Sequence, residues 1–213
     1  MRTYDDTMFI DTFEHEYTWL SGFMRNVKRF SNRSALLDPE TNRSWTYHSL
    51  NEEANRLSRA LQNLGVQKND VVMIALRNCP EFCFSYIGPR KIGAILLAAN
   101  FNLASGEFAL LINHNKPRVV IYSGMIAGIM GEAAELAQWK PEKFIMADNI
   151  EHHALPKNHV SYDEFVKNES GENPEITFRP HIYDEVLRLC TSGTTALPKS
   201  VPLNDINEVL SAH

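Results

Sequence analysis

The chain has 213 residues, of which 44% are hydrophobic and 22% charged, an ordinary composition for a globular protein of one large or two small domains. The formal net charge of −5 argues against general nucleic-acid binding, which favours basic surfaces. No apolar run is long enough for a membrane span, and the polar N-terminus does not resemble a secretory signal. Cys79, Cys83 and Cys190 are too few and too irregularly spaced for a disulfide framework or a zinc site, so we expect reduced, mostly packed thiols.

The N-terminal part predicts a helix followed by a hairpin. Aromatic and aliphatic residues near helical spacing predict a helix over residues 12–30. Two short strands, Ser34–Asp38 and Ser44–Tyr47, are then expected around a turn at Pro39–Asn42.

A second helix is expected from Leu50 to Leu64, because leucine and alanine recur there along one helical face. Ser49 and Glu52 have the spacing of a capping box at its start. Gly65 follows at a position that tolerates positive φ. We interpret the apolar stripe as core packing.

Short apolar runs then alternate with helical segments. The expected strands are Val71–Leu76, Ala94–Ala99, Val119–Tyr122 and Phe144–Ala147. The expected helices are Pro80–Gly93, kinked at Gly88-Pro89, Ser105–Asn115 and Met125–Trp139. This alternation predicts an α/β fold with a mostly parallel sheet flanked by helices. No Gly-x-Gly-x-x-Gly motif follows any of these strands, so the sequence gives no support for dinucleotide binding.

Residues 148–181 are polar and predict a surface excursion with one short helix, Tyr162–Val166. His152, His153 and His159, together with Glu151, could be imagined as metal ligands. Their spacing fits no zinc pattern, and we favour solvated loop histidines.

The stretch from Thr191 to Val201 reads Thr-Ser-Gly-Thr-Thr-Ala-Leu-Pro-Lys-Ser-Val. Hydroxyls, a glycine and one lysine in so small a volume suit an anion with many acceptor oxygens, such as a polyphosphate. A solvated linker is the alternative from composition alone. The stretch is not a P-loop, because Pro198 stands where that motif has its second glycine. We expect a strand–loop–strand, with strands at Val186–Cys190 and Val201–Leu203.

This stretch resembles the signature loop of the AMP-forming adenylate synthetases, the family of acyl-CoA ligases, peptide-synthetase adenylation domains and firefly luciferase. Eleven positions are compared, and the chain departs at two, Ala196 and Ser200, where the family has glycine. The resemblance implies that the loop holds the β- and γ-phosphates of ATP. The residues implied to bind it are Thr191, Ser192, Gly193, Thr194, Thr195 and Lys199.

Further segments resemble the N-terminal part of an acyl-CoA ligase, including Trp45-Thr46-Tyr47, Asn78-Cys79-Pro80-Glu81-Phe82 and Lys91-Ile92-Gly93-Ala94. The resemblance therefore implies a partial N-terminal AMP-binding domain, with the C-terminal domain absent. Its expected parts are an N-terminal helix and hairpin (1–47), a βαβ core (48–147), the polar excursion (148–181) and the phosphate-loop region (182–213).

For the parent protein, the resemblance implies a cytoplasmic enzyme that uses ATP, Mg²⁺ and coenzyme A to activate a carboxylic acid, with a fatty acid as one candidate. The family's magnesium-binding acid and C-terminal lysine belong to motifs that do not occur here, so we expect no catalytic residue and no metal site in this chain, and no adenylation by it alone. Ala196, Ser200 and the unusual strand residue Arg188 keep an alternative open. In that alternative the fold serves as a non-catalytic binding or interaction module.

Overall fold

The computed structural model describes residues 6–190 and 200–211. Within these ranges the chain alternates helices and strands along most of its length. In order they are α1 (Asp6–Glu16), α2 (Trp19–Arg29), β1 (Ser34–Asp38), β2 (Arg43–Thr46), α3 (Tyr47–Asn63), β3 (Val71–Ala75), α4 (Pro80–Lys91), β4 (Ile95–Ala98), α5 (Ser105–Asn115), β5 (Val119–Ser123), a 3₁₀ turn (Gly124–Ile126), α6 (Ala127–Leu136), β6 (Lys143–Ala147), β7 (Val160–Ser161), α7 (Tyr162–Val166), β8 (Glu185–Cys190), β9 (Ser200–Asn204) and α8 (Asp205–Ser211).

The strands form a small hairpin and one large sheet. β1 and β2 pair antiparallel, and the remaining seven strands lie in the order β7-β6-β5-β3-β4-β8-β9. Every neighbouring pair in the large sheet is parallel except β8 with β9. The expected α/β fold with a mostly parallel sheet is therefore confirmed.

Two hydrophobic cores cover the two faces of the sheet. Successive side chains of a strand point to opposite faces, so the fully buried strand β3 contributes to both cores. Val72 and Ile74 pack with residues of α2, α3 and α4, whereas Val71 and Met73 pack with residues of α5 and α6. The central strands are therefore covered by helices on both faces.

The single helix expected over residues 12–30 is wrong, because the segment forms α1 and α2. Thr18 lies between them in an extended conformation (φ −72°, ψ 154°), and its side chain accepts the N–H of Ser21. A hydroxyl that caps the second helix in this way ends the continuous helical pattern. α2 buries Phe23 and Val27, whereas α1 buries none of its residues.

Helix α3 begins at Tyr47, earlier than expected, and its cap differs from the one that the sequence suggested. Thr46 is the N-cap, and it forms a capping box with Ser49, whose hydroxyl accepts the Thr46 N–H at 2.9 Å. The expected box of Ser49 with Glu52 is therefore wrong. Gly65 has φ +93°, which confirms its expected place after the helix.

The other expected helices and strands agree with the structure to within three residues at each end. The polar excursion contains one strand that the sequence did not predict: β7 pairs in parallel with β6 and extends the sheet. Two residues are too few to show the alternation by which strands are recognised. None of the described helices combines the length and hydropathy needed to cross a bilayer.

Tight packing of α4 on α3 depends on Gly88. A Cβ atom at Gly88 would lie 3.0 Å from the carbonyl oxygen of Ala54 and 3.2 Å from Cβ of Leu57. We expect Gly88→Ala to lower the free energy of unfolding by about 1–2 kcal/mol, because the overpacking cost exceeds the gain in helix propensity. Urea denaturation followed by circular dichroism measures this change.

Gly106 on α5 provides the matched control, since a Cβ there meets nothing within 4 Å. Gly106→Ala should leave the free energy of unfolding unchanged or raise it by up to about 1 kcal/mol. Equal unfolding midpoints for the two variants would contradict the close packing of α4 on α3.

Candidate functional site

Strands β8 and β9 frame residues 191–199, named here the hydroxyl-rich segment. Cys190 pairs with Ser200, so the chain leaves the sheet and returns to it at directly opposed positions. β8 is also parallel to β4, with Leu97 opposite Arg188 and Ala98 opposite Leu189. The segment therefore follows the carboxyl end of a strand in a parallel sheet, which is where ligands bind in open α/β sheets.

All residues expected to bind phosphate lie outside the described part of the chain; they are Thr191, Ser192, Gly193, Thr194, Thr195 and Lys199. Their predicted role stays a prediction. The expected strands on either side of them are confirmed, with bounds of Glu185–Cys190 and Ser200–Asn204.

The pairing of β8 with β9 accounts for two residues that are uncommon in strands, Arg188 and Pro202. Arg188 pairs with Glu185 on its own strand, with Nε 2.6 Å from Oε1, so its charge is compensated. Pro202 lies on β9, at the edge of the sheet formed by the described strands, opposite Arg188. Proline has no N–H to donate, and an edge strand is where a sheet tolerates it.

A second group of polar side chains lies at the carboxyl edge, where β3, β5 and β6 end. Arg77 binds Asp148 through Nε at 2.5 Å and Nη2 at 3.0 Å, and its Nη2 also lies 3.0 Å from Glu40. Ser123 donates to Asp148 at 3.2 Å. The Asp148 side chain is only 2% exposed, so this ion pair is largely withdrawn from water.

Electrostatics at this edge favour the charged form of Arg77 and the neutral forms of two neighbours. The hydrogen bonds that Arg77 donates to Asp148 hold the pKa of Arg77 above its usual value. Burial, followed by the negative charges of Asp148 and Glu81, raises the pKa of the Cys79 thiol well above its ordinary value. Burial also raises the pKa of Glu81.

Sequence reasoning did not predict this group, although a signal was present. Arg77 comes directly after the buried run that ends β3, and Asp148 comes directly after β6. Carboxyl ends of parallel strands meet at one edge, so polar residues that follow two such strands are candidates for contact.

The histidines of the polar excursion do not form one cluster in the structure. Nδ1 of His159 lies 2.7 Å from the Tyr122 hydroxyl, and its ring stacks on Phe144 with centroids 4.7 Å apart. Burial lowers the pKa of His159. His153 pairs with Glu151 at 3.0 Å on the exposed surface. The three cysteines are free thiols, partly buried against the two cores.

Comparison with known proteins identifies the family to which this chain belongs. A family model described as AMP-binding enzyme matches residues 23–212. The chain belongs to the AMP-binding enzyme family. A 4-coumarate–CoA ligase of Solanum tuberosum is 31% identical over 179 residues, which cover 84% of this chain and 31% of that protein. A crotonobetaine/carnitine–CoA ligase of Salmonella paratyphi B is 30% identical over 178 residues, which cover 78% of this chain and 31% of that protein.

Solved structures of CoA ligases share the fold. An anthranilate CoA ligase, solved in complex with anthranoyl-AMP, superposes with a TM-score of 0.82 at 22% identity, covering 92% of this chain and 36% of that one. A benzoate CoA ligase from Burkholderia xenovorans gives a TM-score of 0.75 at 20% identity, with the same coverage. The adenylate-forming fold inferred from the resemblance is thus confirmed, and the chain spans about a third of the length of the curated relatives.

The Arg77–Asp148 pair should make a measurable contribution to stability. We expect Arg77→Met to lower the free energy of unfolding by about 2–3 kcal/mol, because it leaves the buried Asp148 carboxylate without its cation. Urea denaturation at neutral pH measures the change.

Arg118→Met is the control, because Arg118 also bridges two carboxylates, Asp70 and Glu142, but with side chains 30–43% exposed. Exposed pairs contribute little, so its cost should stay below about 1 kcal/mol. A cost for Arg77→Met no larger than that of the control would show that burial of Asp148 does not matter.

Proposed function

We propose that this chain is part of an ATP-dependent, AMP-forming carboxylic acid–CoA ligase. The observation that carries the proposal is the pairing of Cys190 with Ser200, which brings the two residues that flank the hydroxyl-rich segment together at the carboxyl end of β8. Family membership and relatives named as CoA ligases support the same reaction class.

The proposed reaction has two steps. The carboxylate of the substrate attacks the α-phosphorus of ATP, so that an acyl–phosphate bond forms and pyrophosphate leaves. The thiolate of coenzyme A then attacks the acyl carbon, a thioester forms, and AMP leaves. Mg²⁺ enters with ATP as part of the substrate, and no residue of this chain is assigned to it.

The role of the hydroxyl-rich segment is to hold the leaving pyrophosphate. Lys199 supplies a compact positive charge, and Thr194 and Thr195 supply hydroxyl donors. Such groups act by neutralising and positioning the charge that develops on the leaving phosphates. Gly193 allows the backbone to approach them closely.

The finer parts of the proposal concern the whole protein. Its substrates are a carboxylic acid, ATP and coenzyme A, and we place it in the cytoplasm. A fatty acid is one possible substrate, but the two curated relatives are named for coumarate and for crotonobetaine or carnitine. We further propose that the chain is a partial N-terminal domain, completed in the parent by the C-terminal remainder.

ATP–pyrophosphate exchange in the protein that contains this chain tests the proposal. Exchange should depend on an added acid, drawn from a panel of hydroxycinnamic, benzoic, crotonic and fatty acids. Lys199→Ala should reduce exchange by roughly a hundredfold, because removing one donor to a developing charge has an effect of that order. The double variant Thr194→Ala/Thr195→Ala should show a loss of similar size.

Lys167→Ala is the matched control, since Lys167 is an exposed lysine on the surface beside Glu164. This variant should catalyse ATP–pyrophosphate exchange at the rate of the unsubstituted protein. Undiminished exchange in Lys199→Ala would refute the role of the segment. If no acid supports exchange and calorimetry detects no ATP binding, the chain is instead part of a non-catalytic binding module.

A further inference from the structure

We propose that Cys79, Glu81 and Asp148 form a binding site for a divalent transition-metal ion, with Zn²⁺ as the fitting ion. One potential ligand atom from each residue lies within 4.8 Å of the other two. A tetrahedral zinc ion with sulfur and oxygen ligands holds them about 3.5 Å apart, so a closure of roughly an ångström assembles the site. No metal site was predicted from the sequence; Asp148 is distant from the other two residues along the chain, and only the fold brings the three together.

The ligand chemistry selects the metal. A thiolate beside two carboxylates suits the borderline-soft Zn²⁺, whereas Mg²⁺ and Ca²⁺ prefer oxygen ligands alone. Three protein ligands leave a fourth position for water or another small ligand. Cys79 is the N-cap of α4 and Glu81 lies in the first turn of that helix, so two of the three ligand side chains come from one helix start.

A buried hydroxyl at the same place is a second, independent observation. Tyr162 is 5% exposed, and its hydroxyl oxygen has no hydrogen-bond partner among the described residues. Tyr162 lines a cavity of about 380 Å³ together with Glu81 and Asp148. Buried polar groups are normally satisfied, so we infer that a water brought by the metal is the partner that this hydroxyl lacks.

The surroundings provide the support that metal ligands usually have. Asp148 is oriented by Arg77 and Ser123, as ligating carboxylates are by outer hydrogen bonds. Arg43 lies 3.8 Å from Glu81, and this cation is shared with Asp38.

The carboxylates around these three residues outnumber the guanidinium groups, which favours the binding of a cation. Two guanidinium groups, those of Arg43 and Arg77, face a larger number of carboxylates. These are Asp38, Glu40, Glu81, Asp148 and Asp163. Even without Glu81, whose neutral form burial favours, the remaining four carboxylates outnumber the two guanidinium groups. Access is open from a second side, because Cys79 lines a neighbouring cavity of about 420 Å³.

Co²⁺ and Zn²⁺ binding by the purified protein that contains this chain test the site. Co²⁺ should produce the thiolate-to-cobalt charge-transfer band in the near ultraviolet, and Zn²⁺ should compete with a chromophoric chelator at one equivalent. Cys79→Ser should abolish the band and weaken Zn²⁺ binding at least tenfold. Glu81→Gln should also weaken it at least tenfold. Both variants are close in shape to the parent residue, and serine is a good N-cap, so unchanged melting curves confirm folding.

Cys83→Ser is the matched control, because Cys83 lies one helical turn further along α4 and is likewise a partly buried free thiol. It should retain the band and the Zn²⁺ affinity. The proposal is overturned if the unsubstituted protein gives no charge-transfer band. It is also overturned if Cys79→Ser and Cys83→Ser bind Zn²⁺ equally well. Neither readout depends on ATP or on ligase activity.

Discussion

The parallel pairing of β8 with β4 is the constraint on which the placement of the candidate site depends. Because β4 is itself parallel to β3, the carboxyl ends of the central strands all lie at one edge of the sheet. The hydroxyl-rich segment leaves the sheet at that edge, and β9 returns antiparallel beside β8. Had β8 paired antiparallel to β4, the same segment would leave from the opposite edge, away from Arg77 and Asp148.

The polar excursion carries the chain from β7 back to β8, and on the way it packs against α3. Asn55 on α3 donates to the Gly171 carbonyl at 2.7 Å. One helical turn further on, Arg59 donates to the carbonyls of Glu172 and Asn173, each at 2.8 Å. A segment without regular structure must have its backbone groups satisfied where it packs, and here the side chains of α3 satisfy them. The excursion is thus attached to the helical layer before β8 begins.

The sequence was sufficient for the fold where one local pattern repeats, and insufficient where contacts join distant residues. Buried runs such as Val71–Ala75 predicted the strands and their order of alternation with helices. The break at Thr18 and the cap at Thr46 depend on which of several hydroxyls bonds to the backbone, and the pattern alone did not decide that. The contact of Arg77 with Asp148 needed the strand order, since 71 residues separate them.

Charged contacts anchor the chain on both sides of the hydroxyl-rich segment. Before β8, Nζ of Lys68 lies 2.8 Å from Oδ2 of Asp184. After β9, Asp205 accepts the first N–H of α2 at 2.6 Å, and Arg90 pairs with Glu208 at 2.5 Å with both side chains largely buried. Burying charges costs solvation free energy that apolar packing would avoid, so such pairs are weak evidence for stability. Their directionality has a different effect: each holds one flank of the hydroxyl-rich segment, before β8 or after β9, in a single position.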